Sequence, residues 1–290
     1  MKDSDNMTPA MATGVETRQV EVNGVQVTYH EAGQANTDTA PIVLVHGTSG
    51  STMGHFGFLF PLLAVRHRVI SLDLTDPKKG DEKLELEDLE AQVLGVIAAT
   101  TGTQPITLLG YSLGAVITAS IAAKKPDLIK NLVLLTGWIK TDMYMTLFNR
   151  TWHALRAANS PHLDDFTIFS AFGAPFMGSK TFEDLAGGAA MPLDAFIDAQ
   201  MEMNARIDIS DLVPDIAATT LIIGCTHDQM VPIHHSRALF GTIEDARYAE
   251  LASGHAVVFE RPAEVVRLVD RFATDPAEYP AGATVPVVKP

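Results

Sequence analysis

The pentapeptide Gly110-Tyr111-Ser112-Leu113-Gly114 constrains this chain more than any other stretch. An apolar run, Ile106–Leu109, leads into it, and a run with helical spacing, Ala115–Lys124, follows directly. A strand that passes into a helix without a loop must turn sharply at the serine. Such a turn strains the serine backbone and leaves its hydroxyl exposed. The residues two before and two after the serine then crowd neighbouring backbone, and both are glycine, which has no Cβ to clash.

The rest of the chain fits a sheet built around that turn. Asn23-Gly24 suits a two-residue hairpin between Gln19–Val22 and Val25–His30. Short apolar runs at Pro41–Val45, Val69–Leu74, Leu132–Leu135, Thr220–Ile223 and Tyr248–Leu251 predict strands, several of them buried on both faces. Helical patterns at Leu84–Thr100, at Ile233–Phe240 and after Pro262 alternate with them. This order implies an α/β fold with a mostly parallel central sheet flanked by helices, carrying one antiparallel hairpin at its edge. In such sheets reactive groups gather at the carboxyl ends of the strands.

Residues 1–16 read as a flexible N-terminal tail and 276–290, with four prolines, as a C-terminal tail or surface strap. The core is expected in 17–138 and 216–275. Between them, 139–215 breaks the alternation and is rich in Met, Phe and Trp, too apolar for a solvated loop of that length. It is read as an inserted helical cap.

The 35 acidic against 21 basic residues give a net charge of −14, which repels phosphate backbones and anionic lipid and excludes nucleic acid as a partner. The one cysteine, Cys225, allows no intramolecular disulfide and is read as a small buried side chain. No stretch is long and apolar enough for a membrane span, and the first residues lack the pattern of a secretory signal. A cytoplasmic protein without membrane contact is expected, with a homodimer left open.

A serine hydroxyl needs a base, and ten histidines compete for that role. His255, in Ser253-Gly254-His255, follows the last predicted strand and so opens on the same sheet edge as Ser112. His30, His46 and His67 border early strands and read as structural, while His234 and His235 sit on a surface-helix pattern. The base needs an acid to fix its tautomer. Asp228, after the strand Thr220–Ile223, is chosen over Asp142, which lies near the cap entrance. Two N–H donors for an oxyanion are expected at Leu113 and at Thr48, with Ser49 next in line. No metal site is expected, because adjacent His234 and His235 do not share a helix face.

His46-Gly47-Thr48, the Gly110–Gly114 turn, Asp228 before Val231-Pro232, and Gly254-His255 together resemble the α/β-hydrolase superfamily over roughly Arg18 to Thr274. The chain order Ser112, Asp228, His255 is also that family's. The resemblance implies the α/β-hydrolase fold, with Ser112 as nucleophile, His255 as base, Asp228 as orienting acid and the cap after the sixth strand. Two stretches depart from the pattern. Asp73 to Gly80 lacks the D-x-R-G-x-G-x-S-like turn of many members, and Ala115 stands where many have a third glycine. Serine at the turn argues against haloalkane dehalogenases and epoxide hydrolases, which carry aspartate there.

The resulting expectation is hydrolysis of a carboxylic ester or lactone through an acyl-serine, with no cofactor. Thioester or carbon–carbon hydrolysis, perhydrolysis and a lyase or cyclisation step use the same triad, and a ligand receptor built on a hydrolase fold is the reading from another class. Ser49, Tyr111, Trp138, Met143, Phe148 and Trp152 are the candidate substrate-binding residues. A Met- and Phe-rich cap suits a hydrophobic or acyl-bearing small molecule, although the same side chains could simply pack the cap against the core.

Overall fold

The computed structural model describes residues 14–34, 39–77, 80, 82–181, 183–185 and 193–287. The expected tails therefore fall partly outside the described residues, at 1–13 and 288–290.

The elements run β1 (Glu16–Val22), β2 (Val25–Ala32), β3 (Ile42–Val45), α1 (Thr52–Phe56), α2 (Leu59–Ala64), β4 (Val69–Asp73) and α3 (Leu86–Thr100). They continue with β5 (Ile106–Tyr111), α4 (Leu113–Lys124) and β6 (Ile129–Leu135), then the helices α5 (Met143–Ala157), α6 (Leu163–Ala171), α7 (Ala174–Met177) and α8 (Ala195–Asn204). Last come β7 (Thr219–Cys225), α9 (His234–Thr242), β8 (Ala246–Leu251), α10 (Val257–Glu260) and α11 (Pro262–Thr274).

Eight strands form one sheet in the order β1-β2-β4-β3-β5-β6-β7-β8. β1, β2 and β4 pair antiparallel, and the six strands from β4 to β8 are parallel, which is the mostly parallel sheet the sequence predicts. Alternate side chains of the strands enter two cores, one on each face. On one face α3 and α4 cover Val43, Val45, Leu108 and Leu134, and on the other α1, α2 and α11 cover Ile42, Leu44, Leu109 and Val133. Burial on both faces explains why the central strands read as unbroken apolar runs.

Several boundaries differ from the sequence reading, two strand starts by three residues. Glu16, assigned to the tail, opens β1 opposite Glu31. β6 begins at Ile129 rather than Leu132, because the polar Asn131 is buried in the sheet and donates to Thr107 Oγ1 at 3.0 Å. The C-terminal strap runs along the free edge of β8: Val285 N–H donates to Tyr248 O at 2.7 Å, and Tyr248 N–H to Ala283 O at 3.0 Å. Val285 is buried there, so the strap covers an edge otherwise open to pairing. Among the described residues, no helix is long and apolar enough to cross a membrane.

Candidate active site

β5 delivers Ser112 to the carboxyl edge of the sheet, and α4 starts one residue later. Ser112 has φ 56° and ψ −121°, the strained turn anticipated from the sequence. A Cβ on Gly110 would stand 2.2 Å from Gly114 O, and one on Gly114 would stand 2.1 Å from Val45 O. Neither position can accept a side chain without moving backbone. Ala115 is accommodated differently: Gly137, just past β6, would clash with the Ala115 Cβ at 2.7 Å if it carried a side chain. The extra methyl in the helix is thus matched by a missing one opposite.

β7 and β8 end beside the same edge and supply the other two groups. His255 Nε2 lies 2.8 Å from Ser112 Oγ, and His255 Nδ1 lies 2.7 Å from Asp228 Oδ2. The carboxylate can only accept, so Nδ1 carries the proton and Nε2 is left to accept from the serine hydroxyl. Asp228 Oδ1 is held by the N–H groups of Met230 and Val231 at 2.9 and 2.8 Å. All three side chains are buried. Tyr111 stacks on the His255 ring and donates its hydroxyl to His255 O at 2.8 Å, pinning the loop from below.

The loop after β3 lies against the serine: a Cβ on Gly47 would stand 2.8 Å from Ser112 Cβ. Among the described residues no protein acceptor meets the N–H of Thr48 or of Leu113. The Ser49 N–H is instead taken by Gln200 Oε1 at 2.8 Å. His46 is buried with both nitrogens engaged: Nδ1 donates to Gly47 O at 2.8 Å and Nε2 accepts from Leu74 N–H at 2.9 Å. Burial lowers its pKa, which keeps this neutral tautomer.

Above Ser112 opens a cavity of about 170 Å³. Its wall includes Ser49, Tyr111, Trp138, Phe148 and Trp152 from the sequence-derived set, with Met201 and Ile197 from α8. Met143 is a correction. Asp142 caps α5 by accepting from Met145 N–H at 2.9 Å, which fixes the helix phase. Met145, Asn149 and Trp152 then face inward, while Met143 is 70% exposed.

The structure adds residues that the sequence reading passed over. Burial, with the neighbouring His46 and His255, lowers the His55 pKa to about 3, and its Nδ1 accepts from Gly47 N–H at 3.2 Å. Asn204 Nδ2 donates to Thr48 Oγ1 at 2.8 Å. Glu260 Oε1 accepts from Gly254 N–H at 3.1 Å and from Gly173 N–H at 2.7 Å. Asn204, Gln200 and Gly173 belong to the segment between β6 and β7, so that segment is bonded to both loops that flank Ser112.

A second correction concerns His234 and His235. Both rings reach Asp142, with Nε2 to Oδ2 distances of 2.9 and 3.3 Å. They start α9, and helical side chains lean toward the N-terminus. Two neighbours in the first turn can therefore converge on a group beyond the helix end, which a face-of-the-helix argument overlooks. His235 is also buried rather than on the surface.

A sequence model of the Alpha/beta hydrolase family matches residues 42–268. A pyrrolizixenacetamide deacetylase of Xenorhabdus hominickii is 30% identical over 266 residues, covering 88% of this chain and 97% of the relative. A 2-hydroxy-6-oxononadienedioate/2-hydroxy-6-oxononatrienedioate hydrolase of Pseudomonas putida is 25% identical, covering 86% and 91%. In fold, the chain is similar to the enol-lactonase from Burkholderia xenovorans LB400, with TM-score 0.73 and 23% identity over 89% of this chain and all of that one.

Proposed function

The chain belongs to the alpha/beta hydrolase family and is a hydrolase, and from that premise we propose that it cleaves a carboxylic ester or lactone of a hydrophobic small molecule through an acyl-serine intermediate. The observation that carries the proposal is the unbroken relay Ser112–His255–Asp228, at 2.8 and 2.7 Å, on the floor of an apolar cavity. Ser112 Oγ adds to the substrate carbonyl as His255 Nε2 takes its proton, and the imidazolium that forms is stabilised by Asp228. The N–H groups of Leu113 and Thr48 receive the oxyanion. His255 then gives the proton to the leaving oxygen, and the C–O bond breaks to leave the acyl group on Ser112. A water activated by His255 adds to the acyl carbon and releases the acid, returning the proton to Ser112. No cofactor enters the scheme. The helices α5 to α8 serve as the cap that shapes the acyl pocket.

A second reading, cleavage of an acetamide C–N bond, is supported by the deacetylase similarity. The same relay serves it, with His255 protonating a leaving amine.

The test is hydrolysis of p-nitrophenyl esters of increasing acyl length and of p-nitroacetanilide, by the parent protein and by Ser112→Ala. Ester turnover that vanishes in Ser112→Ala supports the first reading, and turnover of the anilide alone supports the second. Folded protein that turns over neither moves the weight to a hydrolase-like receptor or to a biosynthetic step on the same triad.

A further inference from the structure

Among the described residues, the reaction above leaves one cluster of ligating groups unused. Asp142, His234 and His235 each offer one atom, and the three atoms lie within 4.8 Å of one another. They come from two separate segments: Asp142 caps the first helix between β6 and β7, and the histidines open α9 of the core. Asp142 is already divided between tasks, since Oδ1 accepts from Met145 N–H while Oδ2 faces both imidazoles.

The cluster is not satisfied as an ordinary ion pair. His234 Nε2 makes a hydrogen bond to Oδ2 at 2.9 Å. His235 Nε2 is 3.3 Å from the same oxygen yet makes no hydrogen bond, and its side chain is only 7% exposed. A buried ring nitrogen aimed at a carboxylate without bonding to it is costly in either tautomer. As a donor it is misaligned, and as an acceptor it faces negative charge.

A cation between the three atoms removes this conflict. Around a tetrahedral ion with bonds of about 2.0–2.2 Å, neighbouring ligand atoms stand roughly 3.4 Å apart; the two nitrogen–oxygen separations of 2.9 and 3.3 Å need little adjustment to reach that, and the two nitrogens lie within 4.8 Å of each other. Two imidazoles and one carboxylate suit zinc and similar transition ions, whereas calcium and magnesium take oxygen ligands. We propose that Asp142, His234 and His235 form a binding site for a divalent transition-metal ion of the zinc type, bridging the start of α5 to α9. Water completes the coordination. The site lies outside the cavity above Ser112, so its role is to fasten the inserted helices to the core.

The experiment uses the full chain without a histidine tag, stripped with a chelator. Zn²⁺ is titrated by calorimetry and Co²⁺ by visible absorption, beside Asp142→Asn, His234→Gln and His235→Gln. Asp142→Asn keeps a carbonyl oxygen to accept from Met145 N–H, and His234 is 58% exposed, so neither change should disturb folding. The expected result is one ion per chain, a cobalt visible band of tetrahedral intensity, and a melting temperature that rises with Zn²⁺ in the parent only. Each substitution should weaken binding by at least about tenfold, the low end of what even outer-shell changes cost at metal sites. Absence of binding by the parent, or equal binding by all three variants, overturns the proposal.

Discussion

Two clusters of imidazole and carboxylate flank the carboxyl edge of this sheet, and they are built from the same parts to different ends. His255 and Asp228 are both buried, with each Asp228 oxygen assigned to a single task and Nε2 of the ring left for Ser112. Asp142 and His234 sit partly in solvent beside a buried His235, and one carboxylate oxygen faces two rings. The difference lies in what holds the acid. Backbone N–H groups from the tight turn after Asp228 fix its second oxygen independently of the histidine, whereas Asp142 spends its second oxygen on starting a helix. A carboxylate can therefore orient a base, or tie two segments together, according to the turn that carries it.

The largest effect expected from breaking the first cluster is at the serine and its base. Ser112→Ala or His255→Ala should lower kcat by about 10⁶-fold, the scale found when one member of a serine triad is removed. Asp228→Asn should cost about 10⁴-fold, because the amide favours the wrong tautomer of His255. Asp142→Asn should cost less than about tenfold in kcat, as it touches no group in contact with Ser112. If the two asparagine variants lost activity equally, the distinction between the clusters would collapse. Steady-state kinetics on the best ester of the panel measures all four.

A smaller effect is expected at Glu260, which contacts neither Ser112 nor the cavity floor but joins Gly254 N–H to Gly173 N–H. Glu260→Gln retains one acceptor oxygen but loses charge, weakening two charge-assisted bonds. We expect kcat to fall by roughly tenfold, since misplacement by a fraction of an ångström at a distance has effects of this order. KM should change less than kcat, because the loop it holds carries the base and not the acyl pocket. A structural role alone would lower the melting temperature and leave the turnover of the folded enzyme intact.

His55 sharpens the comparison through pH. The unfolded chain binds a proton there below about pH 6.5, while the folded protein does not until about 3. The unfolded state is thus favoured as pH falls from 6.5 toward 3, and this contribution to stability is fully present above 6.5. Asp142 acts lower on the scale. Burial alone would raise its carboxyl pKa, but the Met145 N–H and the two histidines hold it below the usual value. Its contribution is present above about pH 4 and is lost as pH falls through the folded pKa. Urea unfolding between pH 7 and 4 should show a slope that His55→Gln reduces and Asp142→Asn barely alters over that range. The smallest effect is Asp142→Ala at pH 7, where loss of the cap should remove about 1 kcal/mol of stability.

The sequence was most legible where one physical requirement dominates. The glycines at 110 and 114 answer to backbone contacts near 2 Å, and the buried strands answer to apolar cover on both faces, so both could be read without coordinates. The convergence of Ser112, Asp228 and His255 was legible for a related reason: strand ends fix which loops share an edge. Asn131 hid the start of β6 because a buried polar residue with a private partner looks solvated in one dimension. Gln200, Asn204 and Glu260 were hidden in the same way, each being a polar side chain in a short helix with a partner far away in sequence, Ser49, Thr48 and Gly173 respectively. Met143 was misplaced by two positions because the phase of α5 depends on the cap at Asp142 and not on composition.

The central claim is that Ser112 is a nucleophile activated by His255. The most direct measurement is the mass of the intact protein after reaction with a fluorophosphonate ester, with peptide mapping of the adduct. The account predicts one phosphonyl group per chain on Ser112, with no adduct in Ser112→Ala and slow labelling in His255→Ala. Labelling elsewhere in the chain, or equal rates in the parent and His255→Ala, would contradict it.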